Sequence, residues 1–514
     1  MSPEMPATDT TQHARCPLDG QSATVVGGGF GGLAAACHLA ADGAEVRLLE
    51  QHDRLGGVAG RIETDGFRID TGPSWYLMPG AFERFFGHFD REPSAFYDLE
   101  RLDPHYRVFW KDGDRADVPD DPEAVAELFE RYEPGAGDAF RAYLDSAEHA
   151  YEVGVDEFVY EDRSRVRDCL DPRLLRAVRG LTLLSSMDEY VADYFEHPKL
   201  RQLVQYTLVF LGGAPHNTPA IYTLMSHVDF NLGVYHPTGG IASVVDGVAE
   251  LARDLGVDIE TGTPVTGLDP ADNAISVTTD AGTHRADTVV ANAAPAHVDR
   301  ELLPDGVAEY GDDYWSDRTY APSAFMLYLG VEGEIEPLEH HTLVLPTDWD
   351  GHFQQIFETP AWPDDPAYYI NVPSSTDPTM APDGHEAVVV LVPVAPGLDD
   401  DPAVRETFRE QVLEDIATHT GVDLRDRIVL ERTACVSEFG QRFGAPQGTA
   451  LGLAHTLSQT GPLRPSIRSS VSDSLFYAGS YTSPGIGVPM CLTSGEHAAA
   501  AVRADATGGL FSGR

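Results

Sequence analysis

Apolar residues recur at two periods along this chain, and the switches between them outline its elements. Residues 23–26, ATVV, form a short β-prone run, GLAAACHLAAD (32–42) carries helix formers with an apolar face, and AEVRLL (44–49) is a second strand. Gly43 stands where a helix C-cap belongs, so the pattern predicts a strand–helix–strand unit with almost no loop after its first strand. Helical periodicity dominates residues 120–230, including DPRLLRAVRGLTLLSSMDEYVADYF and KLRQLVQYTLVFL. GGIASVVDGVAELARDLGVDIETGTPVTGL (239–268) reads as helix, glycine cap, strand and strand, and RADTVVANAA (285–294) as a buried strand ending in small residues. Between 295 and 440, stretches such as SAFMLYLGV and EAVVVLVPV suit a mixed sheet, and 474–504 reads as strand, Gly/Pro loop and helix.

The first turn carries the chemistry. Gly27-x-Gly29-x-x-Gly32 sits between strand and helix, where one glycine permits a tight turn, one lets backbone approach a pyrophosphate, and one allows close helix–strand packing. Glycine clusters also build plain loops, but here Glu50 ends the second strand, placed to accept from ribose hydroxyls. A carboxylate there disfavours a 2′-phosphate and hence NADP, while leaving NAD and FAD open.

Charge excludes other classes. With 82 acidic against 35 basic residues and a formal charge of -47, the surface repels phosphate backbones, so no nucleic-acid partner is expected. Lys111 and Lys199 are the only lysines, the balance of a protein adapted to a high-salt cytoplasm, where carboxylates stay hydrated and salt screens their repulsion. The five cysteines, Cys16, Cys37, Cys169, Cys435 and Cys491, are scattered without CxxC spacing, so neither a disulfide framework nor a metal site is expected. No stretch approaches the roughly 18 apolar residues of a membrane span, and residues 1–20 lack a signal-peptide core.

The segment EQHDRLGGVAGRIETDGFRIDTGPSW (50–75) adds Gly56, Gly57 and Arg61, and resembles the extended fingerprint of glutathione-reductase-like flavoproteins of the amine oxidase and carotenoid desaturase superfamily. GPLRPSIRSSVSDSLFYAGSYTSPGIGVPMCLTSGEHAA (461–499) looks like the C-terminal signature of bacterial-type phytoene desaturases, with Gly479, Thr482, Pro484, Gly485, Gly487 and Pro489 as its core. The resemblance spans residues 22–505, is weakest in 80–200 and 300–430, and is supported by residues 208–230 and 234–268. It implies an α/β fold with a glutathione-reductase-like FAD-binding Rossmann domain and a mixed-sheet and helical substrate domain. It also implies FAD held by Gly27, Gly29, Gly32, Glu50, Gly56, Gly57, Arg61, Val265 through its backbone, Gly479, Gly487 and Val488. Three positions depart from the family pattern: Val58 where arginine is usual, leaving Arg61 to take over a phosphate contact; Ser480 where many relatives have alanine; and Leu463 in place of an aromatic.

The implied activity is desaturation of an acyclic carotenoid, either phytoene to lycopene or 3,4-desaturation of lycopene-derived C40 or C50 pigments. Hydride leaves to the flavin and a proton to a weak base or water. No triad, metal box or carboxylate pair stands out; Arg464, His455 and Tyr481 are the polar candidates near the flavin, Arg464 foremost. Alternatives are a carotenoid cis-trans isomerase, a flavin amine oxidase, for which two lysines are few, and a non-catalytic lipid escort, against which the intact SYTSPGIGVP argues. The expected organisation is a disordered tail (1–20), FAD-binding parts (21–100, 231–300, 441–505), a helical substrate and membrane-contact region (101–230), a mixed-sheet substrate domain (301–440) and a second tail (506–514). The expected setting is the cytoplasmic face of the membrane, contacted peripherally through an apolar patch within 180–230, with oxygen or a quinone as electron acceptor.

Overall fold

In the computed structural model, which describes residues 16–161, 185–271 and 273–508, the chain visits two sheets in turn. It opens with β1 (Ser22–Val26), α1 (Phe30–Ala41) and β2 (Glu45–Leu49), then leaves to lay down β3 (Tyr106–Trp110) and β4 (Arg115–Val118). It returns with α2 (Ile241–Asp254), β5 (Asp258–Glu260) and β6 (Thr288–Ala291). It leaves again for β7 (Ser323–Glu332), β8 (His341–Leu345), β9 (Tyr368–Asn371), β10 (His385–Val394), β11 (Ile428–Ala434) and α3 (Val436–Phe443). The closing elements are β12 (Leu475–Tyr477) and α4 (Val488–Ala506).

The first sheet is parallel, five strands in the order β12-β6-β1-β2-β5, with Val26 of the central strand registered between Leu49 and Ala291. Its opening helix is buried on all sides rather than on one face: Leu33, Ala34, Ala35, Ala36, Cys37 and Leu39 have no exposed surface. Small residues permit this, because α4 closes on α1 so tightly that a Cβ at Gly495 would lie 2.4 Å from the Gly31 carbonyl oxygen.

The second sheet has seven strands, β11-β7-β10-β9-β8-β3-β4, antiparallel except where β3 runs parallel to β8. Residues 106–118, expected within a helical region, thus belong to the mixed sheet, because Tyr106, Val108 and Trp110 alternate into an apolar core that only the sheet's far edge provides. The folded unit also begins earlier than residue 21: Leu18 is buried and its N–H donates to Asp42 O at 2.9 Å. The expected tails over 1–15 and 509–514, Cys169 and the stretch 162–184 lie outside the described residues. No helix among the described residues is long and apolar enough to cross a membrane.

Candidate cofactor and substrate site

The N-termini of α1 and α4 open into one cavity of about 1160 Å³ at the carboxyl edge of the parallel sheet. Neither helix has a side-chain cap there, so its first-turn N–H groups and partial positive charge are left for a ligand. Gly32 is the close-packing glycine, since a Cβ on it would lie 2.0 Å from the Gly27 carbonyl oxygen. Gly56 has φ +112°, a conformation other residues rarely adopt, and it turns the chain so that Gly57 faces Gly29. At the end of β2, Glu50 is buried; its Oε2 accepts from Gly28 N at 2.7 Å and its Oε1 from His52 N at 2.8 Å. These bonds orient the carboxylate toward the cavity and leave lone pairs for a ligand hydroxyl.

The structure brings most of the sequence candidates together. Gly27, Gly29, Glu50, Gly56, Gly57 and Val265 line one arm of the cavity, and Gly479, Gly487 and Val488 line the wall made by the C-terminal loop. Gly32 stands behind them as a packing residue. Arg61 does not reach the cavity: it is held by Asp246 and by Glu63, and borders a separate side pocket. Arg464 lies behind the wall rather than on it.

Two residues escaped the sequence reading. Asn292, just past β6, has its carboxamide between Gly32 N and Ala478 O; assigning its oxygen to the former (3.2 Å) and its nitrogen to the latter (3.3 Å) satisfies both and ties the first glycine turn to the last loop. Its signal was the strand preceding it, without anything to single out the amide. Arg442, at the end of α3, lines the cavity beside the Gly56–Gly57 turn, and only the folded chain reveals that.

Beyond the glycine arm the cavity becomes apolar, walled by Trp75, Leu77, Phe82, Ile221, Met225 and Leu391. Of the 180–230 region, residues 219–228 contribute to this wall, but none of the exposed large hydrophobic side chains, Val58, Leu99, Val429 and Leu463, falls within 185–230. The expected apolar patch is therefore not found in the described part of that region, where large apolar side chains such as Met187, Val191, Phe195, Leu200 and Leu203 are buried.

Two tyrosine–histidine pairs border this arm with opposite polarity. His455 Nε2 accepts from Ile486 N at 3.1 Å, so its Nδ1 carries the proton toward the Tyr222 hydroxyl, 2.6 Å away. For Tyr369 the hydroxyl is 2.6 Å from His341 Nδ1, and Asn371 Nδ2, fixed by donation to His340 O at 3.0 Å, approaches the same nitrogen. His341 Nδ1 is thereby an acceptor and the Tyr369 O–H its donor. The Trp75 ring stacks on His341 at 4.1 Å, and burial holds both His341 and His455 well below the usual histidine range, so both are neutral.

Arg464 is buried and has no carboxylate partner among the described residues. Its guanidinium donates to the carbonyls of Leu453 (3.1 Å), Gln459 (3.3 Å) and Ser480 (2.8 Å), and burial lowers its pKa to about 10. At neutral pH it remains a cation whose field reaches the cavity wall at Ser480.

The chain matches the family model for flavin containing amine oxidoreductase over residues 30–503. It belongs to that family. The carotenoid 3,4-desaturase of Haloarcula japonica is 60% identical over 95% of this chain and 99% of its own length. The zeta-carotene-forming phytoene desaturase of Myxococcus xanthus is 33% identical over 92% of each chain. Among solved structures, an oxidoreductase from Methanosarcina mazei superposes with TM-score 0.60 at 18% identity, covering 93% of this chain and 99% of that one. A putrescine oxidase bound to putrescine gives 0.60 at 15% identity, covering 94% and 99%. This fold and family make the chain an FAD-dependent oxidoreductase, and the cavity fits FAD: two uncapped helix N-termini, a glycine turn too tight for side chains and a buried carboxylate at the strand end border it.

Proposed function

We propose that this chain is an FAD-dependent carotenoid desaturase that inserts C=C bonds into an acyclic carotenoid, with 3,4-desaturation of a lycopene-derived pigment as its reaction. The observation that carries the reading is the continuity of a glycine-walled arm with a long apolar arm in one cavity of about 1160 Å³, above the ~300–1,000 Å³ of ordinary ligand pockets. The 60% identity to a carotenoid 3,4-desaturase across 95% of the chain supports the choice of bond.

FAD, when bound, supplies a hydride acceptor for a carbon that no carbonyl activates. The chain's own part is positioning and proton handling. Trp75, Phe82, Ile221, Met225 and Leu391 hold a polyene by shape and exclude water from it. The Tyr369 hydroxyl receives the proton lost from the neighbouring carbon while passing its own to His341 Nδ1, which is free to accept; His455, already a donor to Tyr222, is oriented wrongly for this. The buried charge of Arg464 favours negative charge at the Ser480 end of the cavity.

The substrate starts in a bilayer, so the roughly 0.8 kcal/mol per CH₂ of transfer from water is not gained, and the protein must receive it by peripheral membrane contact. Oxygen or a quinone then reoxidises the cofactor. Expression in hosts accumulating phytoene, lycopene or C50 precursors, followed by pigment chromatography, tests the reading. New terminal double bonds on lycopene-type pigments are expected. Pigments changed only in cis-trans geometry would make it an isomerase, and unchanged pigments with flavin-loaded protein would overturn the desaturase assignment.

A further inference from the structure

A pyrophosphate bound at the glycine turn meets helix N–H groups there, but the turn itself supplies no cation, since Val58 follows Gly57. Two arginines line the cavity, Arg300 and Arg442. Arg300 is committed to Asp312 at 2.7 Å. Arg442 has no carboxylate partner among the described residues, in a chain with 82 acidic side chains to offer.

Its placement is fixed from both sides. The Arg442 carbonyl accepts from Gln51 Nε2 at 3.0 Å, one residue past Glu50, and its guanidinium carbon packs 5.1 Å from the Phe443 ring centroid. Nη2 lies 3.2 Å from where a Cβ on Gly60 would stand. The neighbouring Gly57 turn in turn approaches Gly29, its Cβ position 3.5 Å from the Gly29 Cα. Arg442 therefore borders the cavity along with Glu50 and the Gly56–Gly57 turn, with Nη2 beside Gly60 and the side pocket on its other flank, next to the interval that a dinucleotide's two phosphates must cross.

We propose that Arg442 is the pyrophosphate clamp of this protein, delivered by α3 from the mixed-sheet part of the chain rather than by the glycine loop. This rests on reading the cavity as an FAD site. A guanidinium fork matches phosphate oxygens with two parallel charge-assisted bonds, which a lysine cannot reproduce. Because α3 follows the last strand of the mixed sheet, the cofactor also fastens the two sheets together.

The test follows FAD release from the holoenzyme in molar KCl, read as flavin fluorescence after dilution. Arg442→Gln, which keeps side-chain length and polarity, is expected to release FAD about ten- to a hundredfold faster than wild type. Adding Val58→Arg to that variant places a guanidinium on the same wall and is expected to restore slow release. Arg432→Ala, on the side pocket but not the cavity, is expected to leave release unchanged. Equal release from Arg442→Gln and wild type, or equal acceleration by Arg432→Ala, would overturn the proposal. A wild-type protein that carries no FAD would instead remove the cofactor reading on which it stands.

Discussion

Nη2 of Arg464 donates to the Ser480 carbonyl at 2.8 Å, so a buried cation that never touches the cavity braces the loop that does. Removing its charge while keeping a polar side chain isolates the field from the packing. Arg464→Gln should lower the midpoint potential of the bound flavin by about 30–60 mV, a two-electron shift of about 1–3 kcal/mol. Spectroscopic reduction against a reference dye measures it, and an unchanged potential would limit Arg464 to bracing the loop.

Tyr369 and His341 should act as a unit. Tyr369→Phe leaves the stack of Trp75 on His341 in place but removes the hydroxyl that bonds the imidazole. It should lower kcat by about 10²-fold with KM little changed, because proton transfer fails while polyene packing survives. His341→Gln should match it, whereas Tyr222→Phe, on the oppositely oriented pair, should cost much less. Equal losses at Tyr222 and Tyr369 would dismiss the polarity argument.

Asp229 supplies a pH prediction. It is buried, its Oδ2 accepts from the hydroxyls of Tyr106 (2.9 Å) and Tyr206 (3.0 Å), and burial pushes its pKa up to about 7. A carboxyl raised above its unfolded value of 3.8 stabilises the fold most below about pH 4 and loses that contribution as pH climbs through 7. Between pH 5 and 8 wild type should therefore lose up to a few kcal/mol relative to Asp229→Asn, which does not titrate there. Denaturant unfolding of both proteins at the two pH values in molar salt measures it; parallel curves would refute the shifted carboxyl.

Salt dependence follows from where the cations are. Lys111 is clamped by Asp365 (2.8 Å) and Asp415 (2.9 Å), and Lys199 by Asp112 (2.7 Å) and Asp114 (2.8 Å), so both lysines are spent on local ion pairs. Nothing flexible remains to offset a formal charge of -47 except arginines and solvent ions. The unfolding midpoint should fall by at least about 10 °C between molar and tenth-molar KCl, as the screening length grows from about 3 to 10 Å. A midpoint independent of salt would contradict adaptation to high salt.

Much of the nucleotide arm was legible in the chain because it is local. The strand, the glycine turn, α1 and Glu50 are contiguous, and their backbone constraints are written as glycines wherever a Cβ would strike backbone, as at Gly32. The C-terminal loop was legible for the same reason: its glycines and prolines set their own path into α4. Apolar alternation likewise announced β7 and β10.

What sequence alone could not decide was which distant side chains meet. Arg61 lies close to the glycine loop in sequence, yet Asp246 and Glu63 draw it away, while Arg442, 391 residues from Gln51, is tied in where the Gln51 carboxamide donates to its carbonyl. Residues 106–118 became sheet because an edge strand was open to them, and Asn292 became a junction because two loops converge on it. The sequence thus determined the cofactor class, whose demands fall on backbone shape over a few residues. Tertiary structure decided which arginine borders the cavity and which way each tyrosine–histidine pair is polarised, since charge pairing and hydrogen-bond polarity depend on neighbours in space.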